Sequence, residues 1–219
     1  CLFRWNEPRV RRYVASWNGK AIVGGTGFDL GVKLPLRART CEPDYRLYGG
    51  TRAIGFITRG CIRNCPWCVV PQKEGKLRRV STAAEIVQDR THALFLDNNF
   101  LALEDFAEDL LWLAHHDVAI DFNQGLDCRL LDRAGANLLS RCKWLPGSTL
   151  RLALDSPSQS NALAKAVGYL REAGITPARI TVFVLIGFSG YESDISRLLF
   201  ALSLGVRVFP MGFRDLKSG

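Results

Sequence analysis

The chain has 219 residues, 47% of them hydrophobic and 23% charged, enough to bury the core of one domain and unlike a disordered or low-complexity polymer. No apolar run reaches the roughly 18–20 residues of a membrane helix, which predicts a chain that does not enter a membrane and works in the cytoplasm. A net charge of +8 admits an acidic protein, a nucleic acid or an anionic substrate as partner, and seven cysteines, an odd number, argue against a fully paired secreted disulfide framework.

In chain order, residues 1–50 read as an N-terminal appendage and connector. Glu7 to Trp17 has helical spacing, Ala21 to Val23 is a short strand opening into Gly24-Gly25-Thr26-Gly27, and 34–48 is a connector rich in Pro and Arg. From residue 51 the pattern becomes regular. Strands at 53–58, 93–96, 118–122, 149–154, 180–186 and 206–210 alternate with helices at 81–90, 103–115, 129–141, 161–173 and 192–204. Ser81 offers an N-cap to the first of these helices, and Gly174 offers a stop after the fourth. Alternation of this kind implies parallel strands joined by helical crossovers. The fold class is therefore α/β: an incomplete (βα)6-type parallel barrel, or partial TIM barrel, over 51–219, with a short N-terminal βα appendage.

In parallel α/β folds, chemistry gathers in the loops after the C-terminal ends of the strands. That rule selects the loop after the first strand, then Asp97-Asn98-Asn99, Asn123-Gln124-Gly125, Asp155-Ser156 and Gly187-Phe188. The first loop reads Cys61-Ile62-Arg63-Asn64-Cys65-Pro66-Trp67-Cys68, a C-x3-C-x2-C spacing. Thiolates are soft ligands that suit iron–sulfur clusters and zinc. Three of them leave one iron of a cubane cluster without a protein ligand. A structural zinc site would want a fourth ligand, and none of His92, His115 and His116 is near in sequence. Cys128 is a possible distant fourth ligand without spacing to support it, and Cys1, Cys41, Cys128 and Cys142 read more simply as small core residues.

This spacing, with Trp67 just before the last cysteine and a place after the first strand, resembles the radical S-adenosylmethionine (radical SAM) superfamily over residues 50–210. The approach Gly55-Phe56-Ile57-Thr58-Arg59-Gly60-Cys61 is similar to the cobalamin-binding and methylthiotransferase-related branch. The resemblance implies a [4Fe–4S] cluster on Cys61, Cys65 and Cys68, with S-adenosylmethionine on the open iron. One-electron cleavage would then form a 5′-deoxyadenosyl radical that abstracts hydrogen from an unidentified substrate, a nucleotide or nucleic acid being one candidate. It also implies that Trp67, Ile186 and Gly187 lie by the adenine, and that Asn123, Gln124 and Asp155 serve ribose hydroxyls or substrate. Asp97, Asn98 and Asn99 stand where the superfamily carries a Gly-Gly-Glu-like segment for the methionyl amino group, a departure that leaves the contacting residue open. Asp97, Asn99 and Arg129 are the candidates for a direct catalytic part, Arg129 by pairing with a carboxylate.

Gly24 to Asp29 resembles a strand-end turn of a cobalamin-binding domain, but the region is too short for one and lacks an Asp-x-His-x-x-Gly motif. No cobalamin is expected, and the segment should instead close one edge of the barrel. A second, C-terminal cluster module is not expected either. The basic residues Arg59, Arg63, Lys73, Lys76, Arg78 and Arg79 could hold nucleic acid, dock a flavodoxin or ferredoxin as electron donor, or form a solvated loop. The competing reading of the whole chain is a non-enzymatic module holding zinc or a redox iron–sulfur cluster.

Overall fold

Short apolar runs closed by glycine or polar residues become strands, and the longer amphipathic stretches between them become helices. The computed structural model describes residues 4–35, 37–38 and 52–215. Its strands in chain order are β1 (Arg52–Gly55), β2 (Thr58–Arg59), β3 (Arg78–Arg79), β4 (His92–Phe95), β5 (Ala119–Phe122), β6 (Lys143–Trp144), β7 (Leu150–Leu154), β8 (Ile180–Ile186) and β9 (Arg207–Gly212). Its helices are α1 (Glu7–Ala15), α2 (Val70–Glu74), α3 (Ala83–Val87), α4 (Phe106–His115), α5 (Arg133–Arg141), α6 (Ser160–Glu172) and α7 (Tyr191–Ser203).

The fold is α/β with parallel sheets. One sheet runs β1-β4-β5-β6 and the other β7-β8-β9. A parallel bridge between Leu126 and Leu152 joins them, the Leu126 amide donating to the Arg151 carbonyl at 2.7 Å. Register aligns the buried faces: Phe95 lies beside Phe122, and Leu152 beside Val182. Phe95 stacks on Phe122 and Phe122 on Phe100, with centroids 5.3 and 4.7 Å apart. All residues of β5 are buried, as a strand covered on both faces requires. Pro210 sits in β9, the last strand of its sheet, where a missing N–H leaves no gap in a ladder. All these strands end on one side, which is where the cysteine loop, Asn99, Asp127, Asp155 and Gly187 follow them.

Several local expectations change. The first strand ends at Gly55, because the amides of Ile57 and Thr58 turn to the Asp97 carboxylate and leave the ladder. The N-cap of α3 is Thr82, not Ser81: its hydroxyl accepts from the Glu85 amide while Glu85 accepts from the Thr82 amide, a reciprocal capping box. The helix expected from residue 129 starts at Arg133, where Asp132 caps by accepting from the Gly135 amide at 2.7 Å. β6 was not expected. It is a two-residue strand beside the first half of β5, cut off by Pro146-Gly147. Gly174 does end α6 in a left-handed conformation, with φ at 89°.

The N-terminal expectation needs a larger correction. Residues 21–23 form no strand, so the βα appendage does not close a barrel edge there. Gly24 to Asp29 is instead a tight turn in which Gly25 pairs with Asp29. α1 buries none of its residues: Val10, Tyr13 and Val14 share one face, and Tyr13 and Val14 remain exposed. Most of the expected connector over 34–48 lies outside the described residues, as do Cys1 and Cys41. Among the described residues no helix is long and apolar enough to cross a membrane.

Candidate active site

The cysteine loop is a strapped hairpin. β2 pairs antiparallel with β3 at its base, Thr58 against Arg79 and Arg59 against Arg78. Glu74, at the end of α2, closes the neck from inside. It accepts from the Gly60 amide, from Arg59 and from Asn98, at 2.9, 2.9 and 3.0 Å. Arg59 also lies over the Phe56 ring at 3.3 Å. Arg79 bonds Asp105 and Asp109, and these bonds hold its guanidinium above the ordinary arginine value against the opposing effect of burial.

This changes the reading of the basic stretch 59–79. Arg59, Arg63 and Arg79 are in ion pairs and Arg78 bonds the Glu74 carbonyl. These arginines brace the loop; Lys73 and Lys76 are the cations of that stretch without such a role.

Within the loop the Cys61 sulfur accepts from the Arg63 amide at 3.3 Å and from the Asn99 side-chain amide at 3.4 Å. The Cys68 sulfur accepts from the Val70 amide at 3.5 Å. The thiols feel one another. Burial pushes Cys65 and Cys68 up, and the charges of the other loop cysteines add to it; Arg129 pulls Cys65 down. Anionic sulfur here therefore calls for a cation.

The strand ends supply the rest of the wall. Asp97 is buried and accepts from the Ile57 amide and from the Thr58 amide and hydroxyl, at 3.3, 2.5 and 2.7 Å. Burial pushes its carboxyl up against the pull of those bonds. Asp97 and Asn98 are thus both engaged with the loop's neck. Asn99 differs: its amide nitrogen reaches Cys61, while its Oδ1 is buried without a hydrogen-bond partner. Burial pushes the Asp155 carboxyl up, against the nearby charges of Arg197 and Arg129 and the pull of the Trp67 side chain. Trp67 meets Phe188 edge-on at 5.4 Å, and Phe188 meets Phe213 at 4.9 Å. Gly187 has φ at 83°, and its amide donates to Asp194 at 2.6 Å. Ile186 is half-buried beside it; Asn123 and Gln124 are exposed at the end of β5.

Arg129 does find a carboxylate, and it is Asp127 of the same loop, bonded at 2.7 and 2.9 Å. Burial pushes the Asp127 carboxyl up, but the Arg129 bonds and charge outweigh it and hold the group below the ordinary aspartate value. Asp127, Glu74, Asp194 and Arg197 escaped the sequence reading. For Asp127 the signal was present in the pair Asp127 and Arg129 at a strand tip; for the others none was. Cys128 is buried, donates to the Ala153 carbonyl and is pushed up to about 12 by desolvation, so it stands as a neutral core thiol.

The geometry defines an α/β fold of parallel strands with a three-cysteine loop after the first, and solved structures share the fold. SuiB of Streptococcus suis bound to S-adenosylmethionine is 13% identical with a TM-score of 0.56, over 75% of this chain and 41% of that one. SuiB bound to the precursor peptide SuiA is 11% identical with a TM-score of 0.54, over 96% of this chain and 52% of that one. Coproporphyrinogen III oxidase (HemN) of Escherichia coli, a radical SAM enzyme, is 13% identical with a TM-score of 0.52, over 76% of this chain and 45% of that one. The chain spans about half the length of these structures or less. No protein-family model and no curated protein sequence matches it. At such identities the likeness establishes the fold.

Two observations test whether these residues suit a cluster with a bound amino acid moiety. Three thiols without a fourth suit a cubane with one open iron, and the orphaned Asn99 Oδ1 is an acceptor awaiting a donor such as an ammonium. As placed, no three His, Cys, Asp or Glu among the described residues stand close enough to hold a metal ion. The donor chemistry fits the group.

Proposed function

We propose that the chain carries the catalytic core of a radical SAM enzyme, its parallel strands curved as an incomplete barrel. The carrying observation is the C-x3-C-x2-C loop set at the C-terminal strand ends of a fold that SuiB and HemN share. Cys61, Cys65 and Cys68 would hold a [4Fe–4S] cluster. Cluster and S-adenosylmethionine together supply reductive cleavage of the sulfonium bond and, from it, hydrogen abstraction from substrate.

The chain's own residues bind, orient and exclude water. Of the three residues after β4, Asn99 is the one suited to the methionyl ammonium, since Asp97 and Asn98 are engaged elsewhere. Trp67, packed edge-on against Phe188, and Ile186 with Gly187 would flank the adenine. Asn123 and Gln124 would serve ribose or substrate. Arg129 would act through Asp127, which it holds. The reading needs no cobalamin. A flavodoxin or ferredoxin would deliver the electron, with Lys73 and Lys76 as the cations left to meet it.

Anaerobic reconstitution with iron and sulfide tests this. A brown protein that releases 5′-deoxyadenosine on reduction with S-adenosylmethionine is expected. Zinc without iron, or a full cluster that yields no 5′-deoxyadenosine, would overturn it, the first in favour of a zinc module and the second of a simple redox module.

A further inference from the structure

The Cys61 sulfur receives two hydrogen bonds, and both donors lead to one oxygen. Arg63 gives its backbone N–H to that sulfur and its Nε to Asp127 Oδ2, at 3.3 and 3.0 Å. Asn99 gives one amide hydrogen to the sulfur and directs the other, at a longer 3.5 Å, to the same Oδ2. Arg129 then holds the carboxylate from the far side, by Nε and its own backbone N–H on Oδ1 and by Nη2 on Oδ2, at 2.7, 3.1 and 2.9 Å. Asp127 side-chain exposure is 8%, against 32% for Arg63 and 31% for Arg129, so a buried carboxylate is clasped by two half-buried guanidiniums. A carboxylate taken out of water is retained only where such donors are in place.

The geometry points to Asp127 as the positioning residue of the cysteine loop, setting both donors on Cys61 through Arg63 and Asn99. It touches no sulfur itself. Arg63 is the middle of the C-x3-C segment, so fixing its guanidinium fixes the turn on which its N–H points at Cys61. Asn99 has one orientation that satisfies both acceptors, and Asp127 selects it, which leaves Oδ1 turned the other way, orphaned and poised for a ligand. Hydrogen bonds to cluster sulfurs favour the reduced, more negative state and so raise the potential. On the reading proposed above, the donors that Asp127 sets raise the cluster potential, against the lowering effect of its own negative charge.

Two measurements decide this, and the first does not require a cluster. In Asp127→Ala without iron, hydrogen exchange over 61–68 should quicken roughly tenfold, as loss of a charge-assisted clasp implies, with β4 and β7 unchanged. Arg63→Gln, which keeps the Asp127–Arg129 pair, should show the same change in smaller degree and serves if the first variant does not fold. Unchanged exchange in the loop would overturn the assignment. In reconstituted protein, redox titration should give a more negative potential for Asp127→Glu, which keeps the carboxylate charge and displaces the clasp, and for Asn99→Ala. Their combination should fall short of the sum, because both act on one donor; an unaltered potential, or full additivity, would overturn it. Wild-type protein that takes up no iron would sink the proposed function while leaving the exchange result to judge Asp127.

Discussion

At the residue scale, Asp97 shows how a candidate for catalysis can be a fastening instead. Its carboxylate takes three hydrogen bonds from the turn that leads into the cysteine loop. Burial lifts its carboxyl above the ordinary aspartate value, so the folded protein holds that proton more tightly than the unfolded chain does. Its contribution to stability is therefore complete below the ordinary range and is lost as pH rises through the raised value. In urea denaturation, the stability advantage of the native chain over Asp97→Asn should narrow as pH rises from about 4; an advantage that grows with pH would contradict that sign. Arg197 is the second such residue. Its side chain is 1% exposed and bonds the Leu154 and Leu185 carbonyls and the Asp194 carboxylate, at 3.1, 2.6 and 2.5 Å. Asp194 in turn holds the Gly187 amide. Arg197→Ala would leave a buried carboxylate without its counter-charge and take a donor from two carbonyls, and should lower unfolding free energy by about 3–5 kcal/mol.

At the element scale, the cysteine loop is held by its neck more than by its tip. Gly60 has φ at 79°, and a Cβ there would fall 2.2 Å from the Lys76 carbonyl oxygen and 2.6 Å from that of Gly75. Gly60→Ala should therefore open the β2–β3 hairpin at a cost of about 2 kcal/mol. Iron uptake on reconstitution should fall sharply while far-ultraviolet circular dichroism stays native; normal uptake would show that the neck has slack. The hairpin itself was illegible in the sequence, because two paired arginines on a two-residue strand carry no apolar period. Four of the six basic residues of 59–79 nevertheless meet acidic or carbonyl partners within the fold.

At the scale of the whole molecule, two parallel sheets joined through Leu126 and Leu152 bring the loops of five strands to one side. The net charge of +8 therefore overstates what the loop can offer a partner, because its arginines are largely neutralised within the fold. If Lys73 and Lys76 meet an acidic electron donor, Lys73→Glu with Lys76→Glu should slow reduction by flavodoxin roughly tenfold or more at low salt, the effect fading as salt screens it. Reduction by dithionite should be unaffected; an equal loss with both reductants would place the defect in the loop and not at a docking face.

Alternation and strand-end polarity were sufficient to read the parallel α/β order, the cysteine loop and the loops beside it, since hydrophobic period and turn chemistry act over neighbouring residues. Those same rules overextended the first strand and helix α5, and they placed a strand at 21–23 that does not form. Only the tertiary structure decided that Asp97 fastens a turn, that Asn99 keeps an acceptor in reserve, and that Asp127 gathers two arginines beside Cys61. Each of those roles depends on which buried polar groups meet across the sheet. Burial makes a missing partner costly, so the partner is chosen by the fold and not by the local run of residues.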